Sequence, residues 1–457
     1  PNKALISKHG DYLSKLAEKN KVNLEFEASV AGGIPILRTI KEGLATNKIN
    51  KVFGILNGTT NYILTEMENE GVNIDTKLLD DIYKQFDNSL KKLQSEIFSF
   101  SGEEFNLASP KQLGEILFDK LKIESKAKKT KTGQYSTSEE TLSKLSEKHK
   151  IVEKILKWRS LQKLITTYVT ALPQQINSET KRIHTIFNQT LTSTGRLSSL
   201  NPNLQNIPIR TENGKLIRKA FTPRDDKHIL VSADYSQIEL RVIASMSNDK
   251  SMIDAFNNDE DIHTATAANV FGIKLKDVTP EQRSHAKVVN FGIIYGVSAF
   301  GLSNQTKLSR SESKEIIENY YKSYPKLKDF TQDQIEFARE NGYVKTILGR
   351  KRFLNDINSR NAILRSSAER NAINTPVQGS AADIIKIAMV KINNEFQNQS
   401  IKSKLILQVH DELIFDCLKD ELNIVKEIIS SSMQSAYKLK VPLKVDIGLG
   451  NNWLEAH

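Results

Sequence analysis

The chain has 457 residues, a length that predicts roughly two to four domains. Of these residues 39% are hydrophobic and 26% are charged, a composition that excludes a disordered polypeptide. The net charge of +11 favours a polyanionic partner. No apolar run approaches the ~20 residues that cross a bilayer, and no signal-peptide pattern opens the sequence. Because the lone cysteine, Cys417, also excludes an internal disulfide, we expect a cytoplasmic protein without a membrane segment.

The first half of the chain is predicted to change from alternating strands and helix to mostly helix. Within the first 66 residues, Val22–Ala28 and Lys51–Leu56 are predicted strands and Gly32–Ala45 is a predicted helix. From Met67 to Leu121 apolar residues recur at helical spacing, namely Leu79, Ile82, Phe86, Leu90 and Leu93. The lysine-rich segment Glu124–Ser138 is a predicted flexible loop, after which helix resumes over Glu139–Val169 and stops before Pro173.

Strands are predicted again in the second half, on either side of a long helical region. The strand-like runs are His228–Ala233, Lys404–Val409 and Ile414–Cys417, and the helical region between them covers roughly residues 246–396. Strands far apart in sequence with helices inserted between them predict a sheet that carries a site and a mobile helical subdomain. The fold class is therefore mixed α/β.

Two aspartates stand beside hydrophobic strands. Asp234 ends a strand within Val231–Arg241, and Asp411 lies in His410-Asp411-Glu412 between two apolar runs, a hairpin pattern. An acid at the end of a buried strand is costly unless something pairs with it. Two such carboxylates from separate strands suit Mg²⁺, which prefers oxygen ligands plus substrate phosphates. The alternative is that Asp411 is only a turn residue and Asp234 only a helix N-cap.

A third segment places two cations and two aromatic rings in one row. Arg283, Lys287, Phe291 and Tyr295 follow one another at i, i+4, i+8 and i+12, which predicts one helix face. A triphosphate could lie on the cations while its base stacks on the rings. Gly292, mid-helix, predicts that something approaches the backbone closely there. The alternative is an amphipathic helix with an aromatic core stripe and two solvated charges.

These three segments resemble motif A, the fingers O-helix and motif C of family A DNA polymerases. Further segments match the family: Thr194–Ser199, Pro202–Arg210, Gly349–Arg352, Glu369–Lys386 and Gly450–His457. The resemblance covers about residues 67–457. One departure is Ser284, where many relatives carry a second arginine, and it leaves Arg283 and Lys287 in place.

The resemblance implies a right-hand fold and a DNA-copying activity. It places the thumb at about 67–185, the palm at about 186–245 and 397–457, and the fingers at about 246–396. It implies a monomeric, template-directed DNA polymerase that adds deoxyribonucleotides from dNTPs to a primer 3′ end on primer–template DNA, in DNA replication and repair.

The resemblance also implies roles for individual residues. Asp234 and Asp411 would hold two Mg²⁺ ions, and Lys287 would be the general acid toward pyrophosphate. The residues implied to bind the nucleotide are Arg283, Lys287, Phe291, Tyr295, His263 and Glu239, the last as a steric gate that crowds the sugar 2′ position. The residues implied to contact DNA are Arg196, Asn203, Gln205, Arg370, Asn374, Gln378 and His410. The loop Lys126–Lys131 would meet phosphates at the thumb tip, or is simply a solvated charged loop.

The first 66 residues do not belong to this pattern. The segments Pro1–Ser7, Phe26–Ile36 and Gly54–Leu64 resemble an internal stretch of homoserine dehydrogenase. The resemblance implies that Lys3 matches a lysine near that family's active site and that Glu27 and Asn57–Asn61 lie in its substrate-side region. The glycine-rich dinucleotide fingerprint and the family's downstream catalytic segment are missing, so we expect this fragment to be inactive. The junction between the dehydrogenase-like and the polymerase-like segments falls near Leu64–Asp75. A recombination or a chimera created during sequence assembly would each explain it.

Three other functions compete with DNA synthesis. A catalytically silent DNA-binding relative is disfavoured by the retained Asp234, Asp411, Lys287 and Arg283. An oxidoreductase is disfavoured by the missing cofactor motif. An RNA polymerase is disfavoured by Glu239, which predicts exclusion of ribonucleotides, and a reverse transcriptase is disfavoured because nothing in the sequence marks the template as RNA. We also expect no proofreading, because the acids within residues 1–66 form no strand-end pair like the two predicted metal ligands.

Overall fold

The computed structural model describes residues 58–457 except positions 210 and 307, together with a few residues between His9 and Asn20. The predicted strands Val22–Ala28 and Lys51–Leu56 and the predicted helix Gly32–Ala45 lie outside the described residues, as do Lys3 and Glu27. The chain divides into two compact units, Pro1–Glu66 and Met67–His457.

The first described elements are mainly helical. They are α1 (Gly58–Glu70), β1 (Asn73–Ile74), α2 (Thr76–Ser101), α3 (Pro110–Gly114), a π-helical turn (Glu115–Lys120), α4 (Glu139–Ser146), α5 (Lys150–Leu164) and a second π-helical turn (Ile165–Val169). Helix α2 is capped at its start by Asp75, whose side chain accepts from the amide of Leu78, and at its end by Gly102, which has a φ of 73°.

The apolar stripe of α2 forms a core with α5. Leu79, Ile82, Phe86 and Leu90 are buried, which confirms the predicted helix face, and Leu93 is half-buried. The helix predicted to run unbroken over Glu139–Val169 is instead divided between α4 and α5 by three non-helical residues.

The next elements lead into the central sheet. They are β2 (Ile186–Asn188), β3 (Ser198–Leu200), α6 (Glu212–Lys219), β4 (Phe221–Thr222) and β5 (His228–Tyr235). Strands β2 and β3 pair antiparallel, and β4 pairs antiparallel with β1. Strand β5 continues one residue beyond Asp234, so the aspartate lies inside the strand rather than at its end.

A long helical region follows, as predicted. It consists of α7 (Ile238–Ser247), α8 (Lys250–Asn257), α9 (Ile262–Phe271), α10 (Pro280–Ile294), α11 (Ala299–Gln305), α12 (Arg310–Ser323), α13 (Pro325–Asn341), β6 (Tyr343–Lys345), β7 (Lys351–Phe353) and α14 (Ala362–Asn398). The hairpin of β6 and β7 inside this region was not predicted. Its Val344 and Leu354 join Ala338 and Ala372 in a small core, which ties the hairpin to α13 and α14.

The last elements complete a four-stranded antiparallel sheet. They are β8 (Lys404–Val409), β9 (Glu412–Leu418), α15 (Leu422–Gln434), β10 (Val445–Gly450) and α16 (Trp453–Ala456). The strand order is β10-β5-β9-β8. In β5, Asp234 stands opposite Glu412 of β9 and Asp446 of β10. Within the described part of the chain, no helix has the length and apolar character needed to span a membrane.

Candidate active site

The sheet register brings the two predicted metal ligands together. Asp234 of β5 is paired with Glu412, and Asp411 is the residue just before Glu412. The amide of Tyr235 donates to the carbonyl of Asp411 over 3.2 Å. The turn between β8 and β9 contains only His410 and Asp411, and His410 takes a left-handed φ of 56°. The two aspartates therefore lie beside each other at one end of the sheet.

Both aspartates are held where ionisation is unfavourable. Burial, followed by the charges of Glu412 and Asp411, raises the pKa of Asp234 to about 7. Burial also raises the pKa of Asp411 to about 6, although Arg196 opposes the shift. A cation that binds between neighbouring carboxylates in a desolvated site stabilises their ionised forms.

This donor set fits a hard divalent cation that completes its shell with substrate and water oxygens. Among the described residues, no cluster of three or more His, Cys, Asp or Glu side chains is arranged to hold a metal. Two carboxylates without a third protein ligand are the pattern that Mg²⁺ adopts when substrate phosphates supply the remaining ligands.

Glu412 lies opposite Asp234 in the sheet, and its carboxylate is satisfied by hydrogen bonds within the protein. Its Oε1 accepts from Ser232 Oγ at 2.6 Å, Trp453 Nε1 at 3.1 Å and His457 Nδ1 at 3.1 Å. Burial opposes the ionisation of Glu412, but the hydrogen bonds from His457 and Ser232 outweigh it, so its pKa lies below the usual value. Glu412 was predicted as a turn residue, whereas it is a buried strand residue that anchors the C-terminal segment.

Glu239 lies between two of the other predicted site residues. It is only 5% exposed, although it is in the first turn of α7. Its Oε1 accepts from Arg196 Nη2 at 2.6 Å, and its Oε2 accepts from Tyr295 Oη at 2.9 Å. The same Arg196 Nη2 is 3.7 Å from Asp411 Oδ1. A chain of polar contacts therefore runs from Tyr295 through Glu239 and Arg196 to Asp411.

The predicted cation-and-ring row lies along α10 and just beyond it. Thr279 and Gln282 form a capping box at the start of the helix. Arg283, Lys287 and Phe291 are within the helix, whereas Tyr295 is the residue after its end, so the row is not entirely helical as predicted. The close approach predicted at Gly292 is made by Val297, since a Cβ on this glycine would lie 2.7 Å from Val297 Cγ1.

A cavity of about 860 Å³ borders this row. Its lining includes Lys287, Phe291 and Tyr295, together with Ser366 and Arg370 from α14. The cavity therefore offers a cation next to two aromatic rings, which is the arrangement predicted for a nucleotide.

Arg283 is engaged by a carboxylate. Its Nε donates to Asp261 Oδ1 at 3.1 Å and its Nη2 donates to Asp261 Oδ2 at 2.7 Å. Asp261 also caps α9 by accepting from the amide of Thr264. His263, in the first turn of α9, is buried beside Phe291, with 5.8 Å between ring centroids. Burial lowers the pKa of His263 to about 4, so its ring is neutral at pH 7.

The residues predicted to contact DNA are divided between two places. Around the β8–β9 turn, Gln205 Nε2 donates to the carbonyl of Gln408 at 3.0 Å, and Gln408 Nε2 donates to the carbonyl of His410. Asn203 accepts from the amide of Gln205 at 3.1 Å. The amide group of Gln205 is thus buried in protein contacts, and it supports the turn.

The other predicted DNA contacts lie on α14. Arg370, Asn374 and Gln378 are spaced at i, i+4 and i+8, along one face of this helix. Arg370 Nη1 donates to Ser366 Oγ at 3.1 Å. Among the described residues, Asn374 Oδ1 is one of the buried polar atoms without a hydrogen-bond partner. A group of this kind is costly unless a ligand or water satisfies it.

Several residues around the site had no role in the sequence analysis. Asp261 holds Arg283, and Arg350 and Lys386 contact the segment that carries Arg196. Lys386 stands in the apolar run Ile384-Ile-Lys-Ile-Ala388, where a lysine is unusual, and this signal could have identified it. Asp261 and Arg350 gave no comparable local signal.

In a comparison with known proteins, two family models match parts of the chain. The model of DNA polymerase family A matches residues 76–455. The model of homoserine dehydrogenase matches residues 35–86, so the two matches overlap in α2.

Individual relatives agree with the longer match. DNA polymerase I of Caldicellulosiruptor bescii is 51% identical over 393 residues, which are 86% of this chain and 46% of that protein. DNA polymerase I of Bacillus caldotenax is 46% identical over 92% of this chain and 48% of its own length. DNA polymerase I of Borreliella burgdorferi is 43% identical over 98% of this chain and 50% of its own length. The chain thus spans about half the length of these relatives.

A solved structure has the same fold. It is described as the POL domain of Pol1 from M. smegmatis in complex with DNA primer-template and dNTP. The TM-score is 0.83 at 42% identity, over 87% of this chain and 70% of that one. On the family match and these identities, the chain belongs to DNA polymerase family A.

Proposed function

We propose that this chain is a template-directed DNA polymerase that adds deoxyribonucleotides from dNTPs to a primer 3′ end. The observation that carries the proposal is that the sheet places Asp234 and Asp411 beside each other at one of its ends, since Asp234 is opposite Glu412 and the amide of Tyr235 donates to the carbonyl of Asp411. The relatives named DNA polymerase I, and the neighbour described with DNA primer-template and dNTP, support the same activity.

Two Mg²⁺ ions would be held by Asp234 and Asp411. When bound, they would activate the attacking 3′-hydroxyl and stabilise the leaving pyrophosphate. The raised pKa values of both carboxylates support this assignment, because a cation would offset the repulsion and desolvation that cause them. Asn or Ser side chains at these positions would offer oxygen ligands without the negative charge of a carboxylate, and so would bind a divalent cation more weakly.

The residues of α10 would bind and orient the nucleotide. Lys287 would contact the triphosphate and donate a proton toward the leaving pyrophosphate, and Phe291 and Tyr295 would hold the base and sugar by stacking. Arg283 would bind the triphosphate after leaving Asp261, and the neutral His263 would lie near the phosphates. The cavity of about 860 Å³ beside these residues supports the placement.

Sugar selection would depend on Glu239. Its carboxylate is held on both sides by Arg196 and Tyr295, so it cannot easily move away from a 2′-hydroxyl. A group that is rigidly held excludes a competitor by crowding better than a mobile one does. Primer and template contacts would come from Arg196, Asn203, Arg370, Asn374, Gln378 and His410, with Gln205 supporting the turn.

The subdomains would follow the right-hand arrangement. We assign the thumb to about 67–185, the palm to about 186–245 and 397–457, and the fingers to about 246–396. The four-stranded sheet, with both aspartates at one of its ends, supports the palm assignment. The protein would act as a monomer in the cytoplasm, in DNA replication and repair.

No separate activity is proposed for the stretch that matches homoserine dehydrogenase. Its described C-terminal part, residues 76–86, lies in α2, where Leu79, Ile82 and Phe86 are core residues. Those side chains pack within the unit Met67–His457, so they serve the polymerase fold.

A primer-extension assay tests the proposal. The purified chain is incubated with Mg²⁺, a labelled primer on a longer DNA template, and one dNTP at a time. We expect addition only of the dNTP complementary to the template base, and none in EDTA. Extension that ignores the template base, or no extension in Mg²⁺ or Mn²⁺, would contradict the proposal. Parallel reactions with ribonucleotides, with an RNA template, and with NADPH and an aldehyde substrate test the competing activities.

A further inference from the structure

Arg196 stands at the centre of the polar chain that joins Glu239 to Asp411, yet its own segment has no regular structure. Residues 191–197 belong to neither a helix nor a strand, and β3 begins only at Ser198. Arg196 Nε is also buried without a hydrogen-bond partner, so this side chain is not fixed at every donor. Its direction must therefore be set by whatever holds the backbone of the segment.

Arg350 holds the carbonyl of Thr194. Its Nη2 donates to Thr194 O at 2.8 Å and to Gly379 O at 3.0 Å. Its Nε donates to Asp383 Oδ1 at 3.0 Å, which fixes the plane of the guanidinium. The planar guanidinium meets these three partners from two separate nitrogens, whereas a lysine at position 350 would have all its donors on one nitrogen.

Lys386 holds the carbonyl of the next residue. Its Nζ donates to Gly195 O at 2.7 Å. Burial, followed by the charge of the nearby Arg350, lowers the pKa of Lys386, so the surroundings of this side chain disfavour its protonated form. A buried cation is costly unless its donors are satisfied, and the hydrogen bond to Gly195 O satisfies one donor of Lys386.

Gly195 shows how closely the backbone of residues 191–197 approaches the side chain of Arg350. Its φ is +83°, a left-handed conformation, and a Cβ there would lie 2.4 Å from Arg350 Cζ. The guanidinium therefore packs directly on the backbone of the segment, and a change in either moves the other.

We propose that Arg350 and Lys386 are positioning residues that grip the carbonyls of Thr194 and Gly195 and thereby aim Arg196 between Glu239 and Asp411. The proposal rests on the proposed polymerase function for its catalytic consequence. Arg350 follows the β6–β7 turn and Lys386 is on α14, so two elements outside the sheet determine the direction of an arginine at the sheet. Sugar discrimination should then depend on residues that touch neither nucleotide nor metal.

The test compares two variants that each weaken one of these two carbonyl contacts, called the grip variants, with two matched controls. Lys386→Met removes the donor to Gly195, and Arg350→Lys removes the fork. Lys391→Met is the control for the first, because Lys391 is on the same helix and donates to the carbonyl of Ser435 at 2.6 Å. Arg352→Lys is the control for the second, because Arg352 is in the same hairpin and donates to Thr375 Oγ1 at 2.7 Å.

The first measurement needs no activity. Hydrogen–deuterium exchange of the peptide covering residues 192–199 is followed in the DNA-free protein, with the β5 peptide as the internal reference. We expect exchange at 192–199 to be about tenfold faster or more in both grip variants, with unchanged exchange in β5 and in the controls. Equal exchange in grip and control variants would overturn the proposal even if the chain failed to extend primers.

The second measurement separates positioning from general weakening. The preference for dNTP over the matching ribonucleotide is measured for each variant, alone and combined with Arg196→Ala. We expect the grip variants to lower this preference about three- to tenfold, and to have little further effect once Arg196 is an alanine. A preference equal to that of the parent, or an equal loss in both backgrounds, would mean that Arg350 and Lys386 only stabilise the fold. Failure of the parent to extend primers would instead count against the proposed function.

Discussion

Tyr295 Oη donates a hydrogen bond to Glu239 Oε2 over 2.9 Å, which joins the end of α10 to the first turn of α7. Burial, followed by the charge of Glu239, raises the pKa of Tyr295, so the phenol remains a donor at physiological pH. The contact ties the edge of the proposed nucleotide cavity to the proposed steric gate. The position of this carboxylate therefore depends on the helix that carries Lys287 and Phe291.

Glu239→Ala should increase ribonucleotide incorporation roughly tenfold or more with a smaller loss of dNTP addition. The alanine removes the group that crowds a 2′-hydroxyl, and it releases Arg196 and Tyr295. The measurement is competition between a dNTP and the matching ribonucleotide. Tyr295→Phe is the comparison, since it removes one hydrogen bond and keeps the carboxylate, and it should change the ratio less. Unchanged sugar selectivity in Glu239→Ala would rule out the gate.

Phe291→Tyr should raise acceptance of chain-terminating dideoxynucleotides. Phe291 lines the proposed nucleotide cavity beside His263, and a ring hydroxyl there could replace an interaction that the missing 3′-hydroxyl normally supplies. The measurement is the ratio of dideoxy to deoxy incorporation at single template positions. If the ratio stayed at the parent value, Phe291 would not lie beside the sugar.

Asp261→Asn should lower the KM for dNTPs by up to about fivefold, the equivalent of the ~1 kcal/mol that an exposed ion pair contributes. Arg283 would no longer have to leave a carboxylate before it binds the triphosphate, while asparagine still caps α9. The control is Asp259→Asn, because Asp259 pairs with Lys444. A higher KM in Asp261→Asn would mean that Asp261 positions Arg283 and does not compete with the nucleotide.

The ion pair also predicts a pH range. Asp261 has a folded pKa below its ordinary value: burial opposes this shift, but hydrogen bonds from Arg283 and Thr264 outweigh burial. A carboxylate with a depressed folded pKa stabilises the fold above its unfolded pKa, and this stabilisation is lost as the pH falls through the folded pKa. The difference in free energy of unfolding between parent and Asp261→Asn should therefore be constant from neutral pH to about pH 5 and shrink only in stronger acid.

Deleting residues 1–66 should leave primer extension nearly unchanged and neither create nor remove exonuclease activity. Extending the deletion to Asp75 should destabilise the protein. Glu70 forms ion pairs with Arg182 at 3.5 Å and Arg224 at 3.2 Å, and Asp75 caps α2. The measurement is the melting temperature of both deletions, with extension and loss of a mismatched 3′-labelled nucleotide. Equal melting temperatures would contradict the role of residues 67–75, and nuclease activity abolished by the shorter deletion would contradict our interpretation of residues 1–66.

Local sequence patterns agree with the structure where a residue's own neighbours carry the signal. Asp234 and Asp411 each stand next to an apolar strand run and lie side by side in the structure, and Arg283, Lys287 and Phe291, at helical spacing, lie within α10, whereas the roles of all five residues stay predictions. The contact of Arg350 with Thr194, 156 residues away, could not be predicted, because the local sequence does not determine which distant carbonyl a guanidinium meets. Likewise, the pairing of β10 with β5 could not be predicted, because an apolar run does not determine which distant strand lies beside it.

The direct test of the two-metal assignment is Asp411→Ala, assayed for primer extension in Mg²⁺ and for binding of primer–template DNA. We expect a loss of at least about a hundredfold in kcat, because a metal ligand that acts mainly in the transition state is removed. We also expect nearly unchanged DNA affinity, since contacts to phosphates dominate binding. Asp446→Ala is the matched control, because this exposed aspartate stands opposite Asp234 on β10, and it should extend primers nearly as well as the parent. Extension by Asp411→Ala within tenfold of the parent rate would contradict the two-metal assignment.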